Sequence, residues 1–153
     1  KIDLNLNATE LEEKLSQLAA LKIVENIDSI ISGKANFKEQ DHSKATYAKK
    51  INKAEGQIFW NDSAKKIIGK INGLHPNPGA YFTFKGDRYK ILKAEIGNRS
   101  GHPGEVLNDK LEIACSKNES IKVIEIQKEG KKIQEINEFL NGSKIHKGCT
   151  LNE

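Results

Sequence analysis

The sequence predicts an α+β chain centred on a small antiparallel β-barrel with a preceding helix, joined at its N-terminal end to part of a different core. Three observations predict it. From Ala80 onward the apolar spacing changes from helical to alternating. The alternating runs are short and are separated by turn-forming clusters, the pattern of a small sheet that closes on itself. The first 33 residues, in contrast, carry an apolar stripe too wide for a helix that stands alone.

Taken in order, "KIDLNL" (residues 1–6) alternates apolar and polar and reads as the end of a short strand. Asn7 can cap a helix, with Glu10 three residues on completing a capping box. The helix runs through Leu11, Leu15, Leu18, Ile23, Ile27 and Ile30 to a fitting terminator at Gly33. One strand and one helix cannot bury that stripe between them, so residues 1–33 read as the edge of another domain. Residues 34–57 show no sustained period and hold six lysines against three acids, a linker by pattern. After "IFW", Asn61 or Ser63 can cap a second helix whose apolar positions are Ala64, Ile67, Ile68 and Ile71, and Asn72-Gly73 ends it. Trp60, beside Phe59, reads as a core anchor.

The stretch "INGLHPNPGAYFTF" is a junction: Pro76 and Pro78 restrict His75 and Asn77 to extended conformations, and Gly79 frees the turn into the first strand. The strands follow as "AYFTF", "RYKILKAEI", "GEVL", "KLEIAC" and "SIKVIEIQ", with turns at Gly86-Asp87, "GNRSGHPG", Asn108-Asp109 and "SKNES". Glu112 and Glu125 alternate with apolar strand residues, which predicts a solvated sheet face for both. A last helix, "INEFLNG", precedes a tail carrying Lys144, His146 and Lys147.

Composition excludes several classes. Hydrophobic residues make up 37% and charged residues 30% of 153, and no apolar run approaches the roughly 20 residues of a membrane span. No signal-peptide pattern opens the chain, and the expected compartment is the cytoplasm. Cys115 and Cys149 have no CxxC spacing and do not stand at metal-ligand intervals from the four histidines, so no metal is expected. The sequence contains no methionine and starts at Lys1, which is expected of a processed chain or a piece of a longer one. Asp41, His42 and Ser43 are adjacent, but a catalytic triad needs convergence in space, and a polar loop with local capping bonds is the expectation. No phosphate-cradling glycine motif or HExxH occurs, and no catalytic residue is assigned.

What remains is basic. Residues 1–33 hold three lysines against six acids, while residues 34–153 hold 22 basic against 15 acidic residues, which suits a polyanionic partner. Lys44, Lys49, Lys50 and Lys53 lie in ten residues free of acid, and Lys128, Lys131 and Lys132 flank Gly130 in an expected turn. Flexible basic segments of this kind follow phosphate backbones.

Several motifs together resemble one family. "NATELEEKL", "QDHSKATYAKKI", "INKAEGQIFW", "AKKIIGKINGLHPNPGA", "GEVL", "IQKEGKK", "EFLNG" and "KGCTL" occur in the order, and at distances similar to those, of the C-terminal half of the methionyl-tRNA formyltransferase family, over nearly the whole chain. The resemblance implies an OB-like barrel for residues 58–153 that binds tRNA, a basic interdomain linker at 37–57, and, at 1–36, the strand-helix end of a doubly wound α/β catalytic domain. It implies 10-formyltetrahydrofolate as the cosubstrate of the parent enzyme, with none bound by this part. Its catalytic Asn, His and Asp would lie upstream, so this part alone is expected to be inactive. The partners implied are initiator methionyl-tRNA and the missing N-terminal catalytic domain, with no membrane. Carried over by position, Lys49, Lys50, Lys53, Lys131 and Lys132 match the tRNA-facing surface. Two departures are Phe59, where the family often has an acid before the tryptophan, and Asn72, where it often has arginine. Two other readings stay open: the same part of a folate-dependent sugar-nucleotide formyltransferase, and a freestanding nucleic-acid-binding module.

Overall fold

The computed structural model describes residues 2–151. It divides into two compact units, Thr9–Ile51 and the remaining described residues.

Within the first unit, helix α1 (Ala8–Ile31) starts directly after Asn7. Its end is a Schellman motif: Lys34 N–H donates to the Ser29 carbonyl at 2.8 Å and Gly33 N–H to that of Ile30 at 3.1 Å, with Gly33 at φ +68°. None of its residues is buried, and Leu18, Val24 and Ile27 stand exposed along the stripe. Beyond it the chain is irregular except for one 3₁₀ turn, His42–Lys44. Asp41 Oδ1 accepts there from Ser43 N–H at 3.0 Å and from its hydroxyl at 2.6 Å, which is capping rather than catalysis.

The second unit holds the sheet. Residues 2–6 do not form the expected strand, and Lys1 of that expectation lies outside the described residues. Asp3 instead makes an Asx turn, accepting from Asn5 N–H at 2.9 Å, and Asn72 Nδ2 donates to the Leu4 carbonyl at 2.5 Å. Without a neighbouring strand, local side-chain bonds satisfy this backbone better than an unpaired extended segment would. A 3₁₀ turn, Lys53–Gly56, then leads to α2 (Ala64–Gly73), capped by Ser63 and burying Ala64, Ile67, Ile68 and Ile71.

Among the described residues five strands form one antiparallel sheet: β1 (Ala80–Phe84), β2 (Asp87–Ile96), β3 (Glu112–Ala114), β4 (Ser120–Lys128) and β5 (Gln134–Glu135). The order is β1-β2-β4-β3, and β5 also pairs with β4. Because β2 occupies one edge of β4 along its length, β3 and β5 share the other edge, β3 opposite Ser120–Lys122 and β5 opposite Glu125–Ile126. A bulge at Leu92 changes the phase of β2, so Tyr89 and Ile91 face the core before it while Leu92 and Ala94 are buried after it.

The predicted strand "GEVL" is only a pair of isolated bridges, Glu105 to Thr150 and Val106 to Ile113. It lies along β3 between that strand and the end of the chain, where Gly148 N–H donates to the Val106 carbonyl at 2.8 Å and Leu151 N–H to that of Gly104 at 3.0 Å. At the other margin Ile58 N–H donates to the Tyr81 carbonyl at 2.8 Å. Among the described residues the five strands do not pair into a closed ring.

Trp60, 5% exposed, fills the core as expected, 6.0 Å from Phe82, which stacks on Tyr89 at 5.4 Å. The expected basic tail is anchored, since Ile145 and Leu151 are buried in this core. Helix α3 (Ile136–Leu140) adds Ile136 and Phe139.

One sequence expectation is overturned at β3. Glu112 is not on a solvated face but is 1% exposed. The loop after β2 wraps over it: Oε1 accepts from Asn98 N–H, Arg99 N–H and the Ser120 hydroxyl at 2.9, 3.1 and 2.8 Å, and Oε2 from Asn108 Nδ2 at 3.0 Å. Burial raises its carboxyl pKa, but these bonds outweigh burial and hold it below the ordinary value. No helix among the described residues is long and apolar enough to cross a membrane.

Candidate nucleic-acid interface

The β1–β2 connection is a two-residue turn, Lys85-Gly86, with φ of +51° and +82°, one position earlier than the sequence suggested. Asp87 thereby already pairs with Phe84, and Lys85 is carried out at the tip. At the far end of β4, Gly130 at φ +74° turns the chain and Lys131 N–H closes on the Lys128 carbonyl at 2.9 Å. The segment after α3 brings Lys144 to the same place. These three segments enclose a groove of about 650 Å³.

Its rim carries Lys85, Lys128, Lys131, Lys132 and Lys144, against two acids, Asp87 and Glu138. Phe84, Tyr89 and Phe139 form the floor, Tyr89 meeting Phe139 edge-on at 5.7 Å, and Ile133 presents an exposed apolar wall. Lys128 Nζ donates to Asp87 Oδ2 at 2.6 Å, which raises the lysine pKa and lowers that of the carboxyl. Lys85, Lys131, Lys132 and Lys144 make no ion pair among the described residues. Four cations without an ion pair over a concave surface form a region of positive potential.

Of the predicted residues, Lys131 and Lys132 come together on this rim. Lys53 is exposed at the start of the 3₁₀ turn before α2. Lys49 and Lys50 are exposed in the other unit. Sequence reasoning did not assign Lys85 and Lys144 to the site. A lysine in a left-handed turn position that ordinarily favours asparagine was the available signal for Lys85. Of the two departures, Asn72 is engaged by Leu4, and Phe59 lies exposed beneath Lys70 Nζ, 5.1 Å from its ring centre. No three His, Cys, Asp or Glu side chains among the described residues are placed to hold a metal ion.

The groove and sheet fall in a recognised domain. Residues 50–144 match the family described as formyl transferase, C-terminal domain, and the chain belongs to that family. Among similar proteins is a methionyl-tRNA formyltransferase of Pelagibacter ubique, 60% identical over 145 residues, which covers 95% of this chain and 47% of that protein. The chain thus spans about half the length of the curated relatives it matches. Among solved structures, a variant of HypX from Aquifex aeolicus superposes on 92% of this chain and 27% of its own, with a TM-score of 0.70 at 16% identity. HypX in complex with tetrahydrofolic acid covers 77% of this chain and 22% of its own, at TM-score 0.59 and 17% identity. At such identities the likeness concerns the fold.

Proposed function

We propose that this chain is the tRNA-binding C-terminal portion of a methionyl-tRNA formyltransferase, the enzyme that formylates the amino group of initiator methionyl-tRNA. The observation that carries the reading is the 60% identity to a protein of that name along 95% of the chain. The parent takes its formyl group from 10-formyltetrahydrofolate in an upstream catalytic domain and acts in the cytoplasm. Residues 58–153 are its OB-like unit, with the segments 104–107 and 148–151 extending the sheet towards closure; residues 37–57 are the basic linker and 1–36 the end of the catalytic domain.

The work of this portion is positioning. Lys49, Lys50 and Lys53 on the linker and Lys131 and Lys132 on the groove rim neutralise phosphates and release counterions, which supplies affinity without reading sequence. The aminoacyl end is thereby presented to the catalytic domain, and no proton or group transfer is assigned to residues of this chain. The test is tRNA affinity of the 153-residue chain as a function of salt. A linear fall of log K with log salt is expected, and replacing Lys131 and Lys132 by alanine reduces the slope by about one unit per lost contact. Affinity independent of salt overturns the reading.

A further inference from the structure

The lysines alone would suit any phosphate backbone, but the groove has features a backbone does not need. It is a compact concavity of about 650 Å³, the size of pockets that hold small organic molecules and small beside the flank of a double helix. Its cations come from three separate segments that line one concavity. It contains Asp87 and Glu138, which would repel a phosphate. An unpaired base, however, offers amino donors to a carboxylate, and ribose offers a 2′-hydroxyl. Finally, Ile133 is 52% exposed on the wall, an apolar face on which a duplex has nothing to place but an unstacked base does.

We infer that the groove is a site for unpaired RNA, taking one or two unstacked nucleotides with their phosphates on Lys131, Lys132 and Lys144, a base against Ile133, and Asp87 or Glu138 accepting from the base or ribose. The inference deepens the tRNA-binding reading and rests on it: it directs a single-stranded part of the RNA, not a stem, into the groove. Asp87 is already held by Lys128 through Oδ2, so the pair supplies an acceptor and a cation in fixed relation.

Fluorescence anisotropy of the full chain with a labelled six-nucleotide unstructured RNA, and with a blunt RNA duplex of equal phosphate number, tests it. The single strand is expected to bind at least fivefold more tightly than the duplex at the same salt. Ile133→Ser, a change at an exposed position, is expected to weaken the single strand at least threefold while leaving the duplex unchanged, and Lys144→Ala to weaken the single strand. Equal or tighter binding of the duplex overturns the inference, as does an Ile133→Ser variant that binds the single strand normally. If tRNA binds with steep salt dependence but the six-nucleotide RNA does not, the groove assignment fails and the tRNA reading stands; if neither RNA binds, both fail.

Discussion

Replacing Glu112 by glutamine tests whether a buried carboxylate organises the loop that covers β3. The change keeps shape and volume, and one oxygen can still accept from Asn98 N–H, Arg99 N–H and the Ser120 hydroxyl. The second oxygen becomes an amide that faces Asn108 Nδ2, a donor against a donor. Asn108 cannot flip to relieve this, because its Oδ1 already accepts from Lys110 N–H and Glu112 N–H at 3.0 and 3.1 Å. A bond to a charged acceptor is worth about 1.5–3 kcal/mol, and the three remaining bonds weaken when the charge is lost. The contact with Arg99, whose side chain is 56% exposed, adds little. The expected loss is therefore about 2–4 kcal/mol for Glu112→Gln and about 3–5 kcal/mol for Glu112→Ala, which orphans every donor. Urea unfolding followed by the fluorescence of Trp60, the single tryptophan, measures both. The pH dependence gives a second readout. The folded carboxyl titrates below its ordinary value of 4.5, so its contribution is complete above that value and disappears as pH falls through the lower folded one. The stability curves of the parent and the glutamine variant should converge on acidification below about pH 4.5. A glutamine variant within about 0.5 kcal/mol of the parent at pH 7, or a gap that does not narrow in acid, refutes the reasoning.

Three further outcomes follow from the same geometry. Gly104→Ala is expected to cost about 1–3 kcal/mol and to shift Trp60 emission, because φ there is +89° and a methyl group would stand 3.1 Å from Trp60 Cδ1 and 3.3 Å from the Leu151 carbonyl oxygen. Thiol titration of the native chain at pH 8 should count Cys149, which is partly accessible, and reach Cys115 only on unfolding, since burial, helped by Glu119, pushes that thiol up to about 12. Lys85→Asn should stabilise the hairpin by up to about 1 kcal/mol, asparagine tolerating the left-handed turn better, while lowering tRNA affinity in anisotropy titrations.

The elements that could be read from sequence were those set by local chemistry. Ser63 as cap, Ile67, Ile68 and Ile71 as one helical face, Gly33 as terminator and the alternating runs that became β1, β2, β3 and β4 all follow from periodicity and backbone preference. Alternation misassigned Glu112 because its environment is supplied by Ser120 on β4 and by residues 97–108, which reach it only after β2 and β3 have paired with β4. The bulge at Leu92 was hidden for a similar reason, since a phase shift in one strand exists only relative to its partner.

The candidate site divides along the same line. Lys131 and Lys132 were visible as a basic cluster around Gly130, whereas Lys85 and Lys144 are distant in sequence and meet only through the hairpin and the segment after α3. The groove is therefore assembled from turn tips at the margin of a core built from Trp60, Phe82, Ile91, Ile113 and Ile126. Side chains at such tips make few packing demands, so charge can be placed there by substitution without repacking the interior. A lysine at the left-handed position 85, where a better turn former is available, fits such a division of labour: the core fixes where the tips stand, and the tips carry the charge.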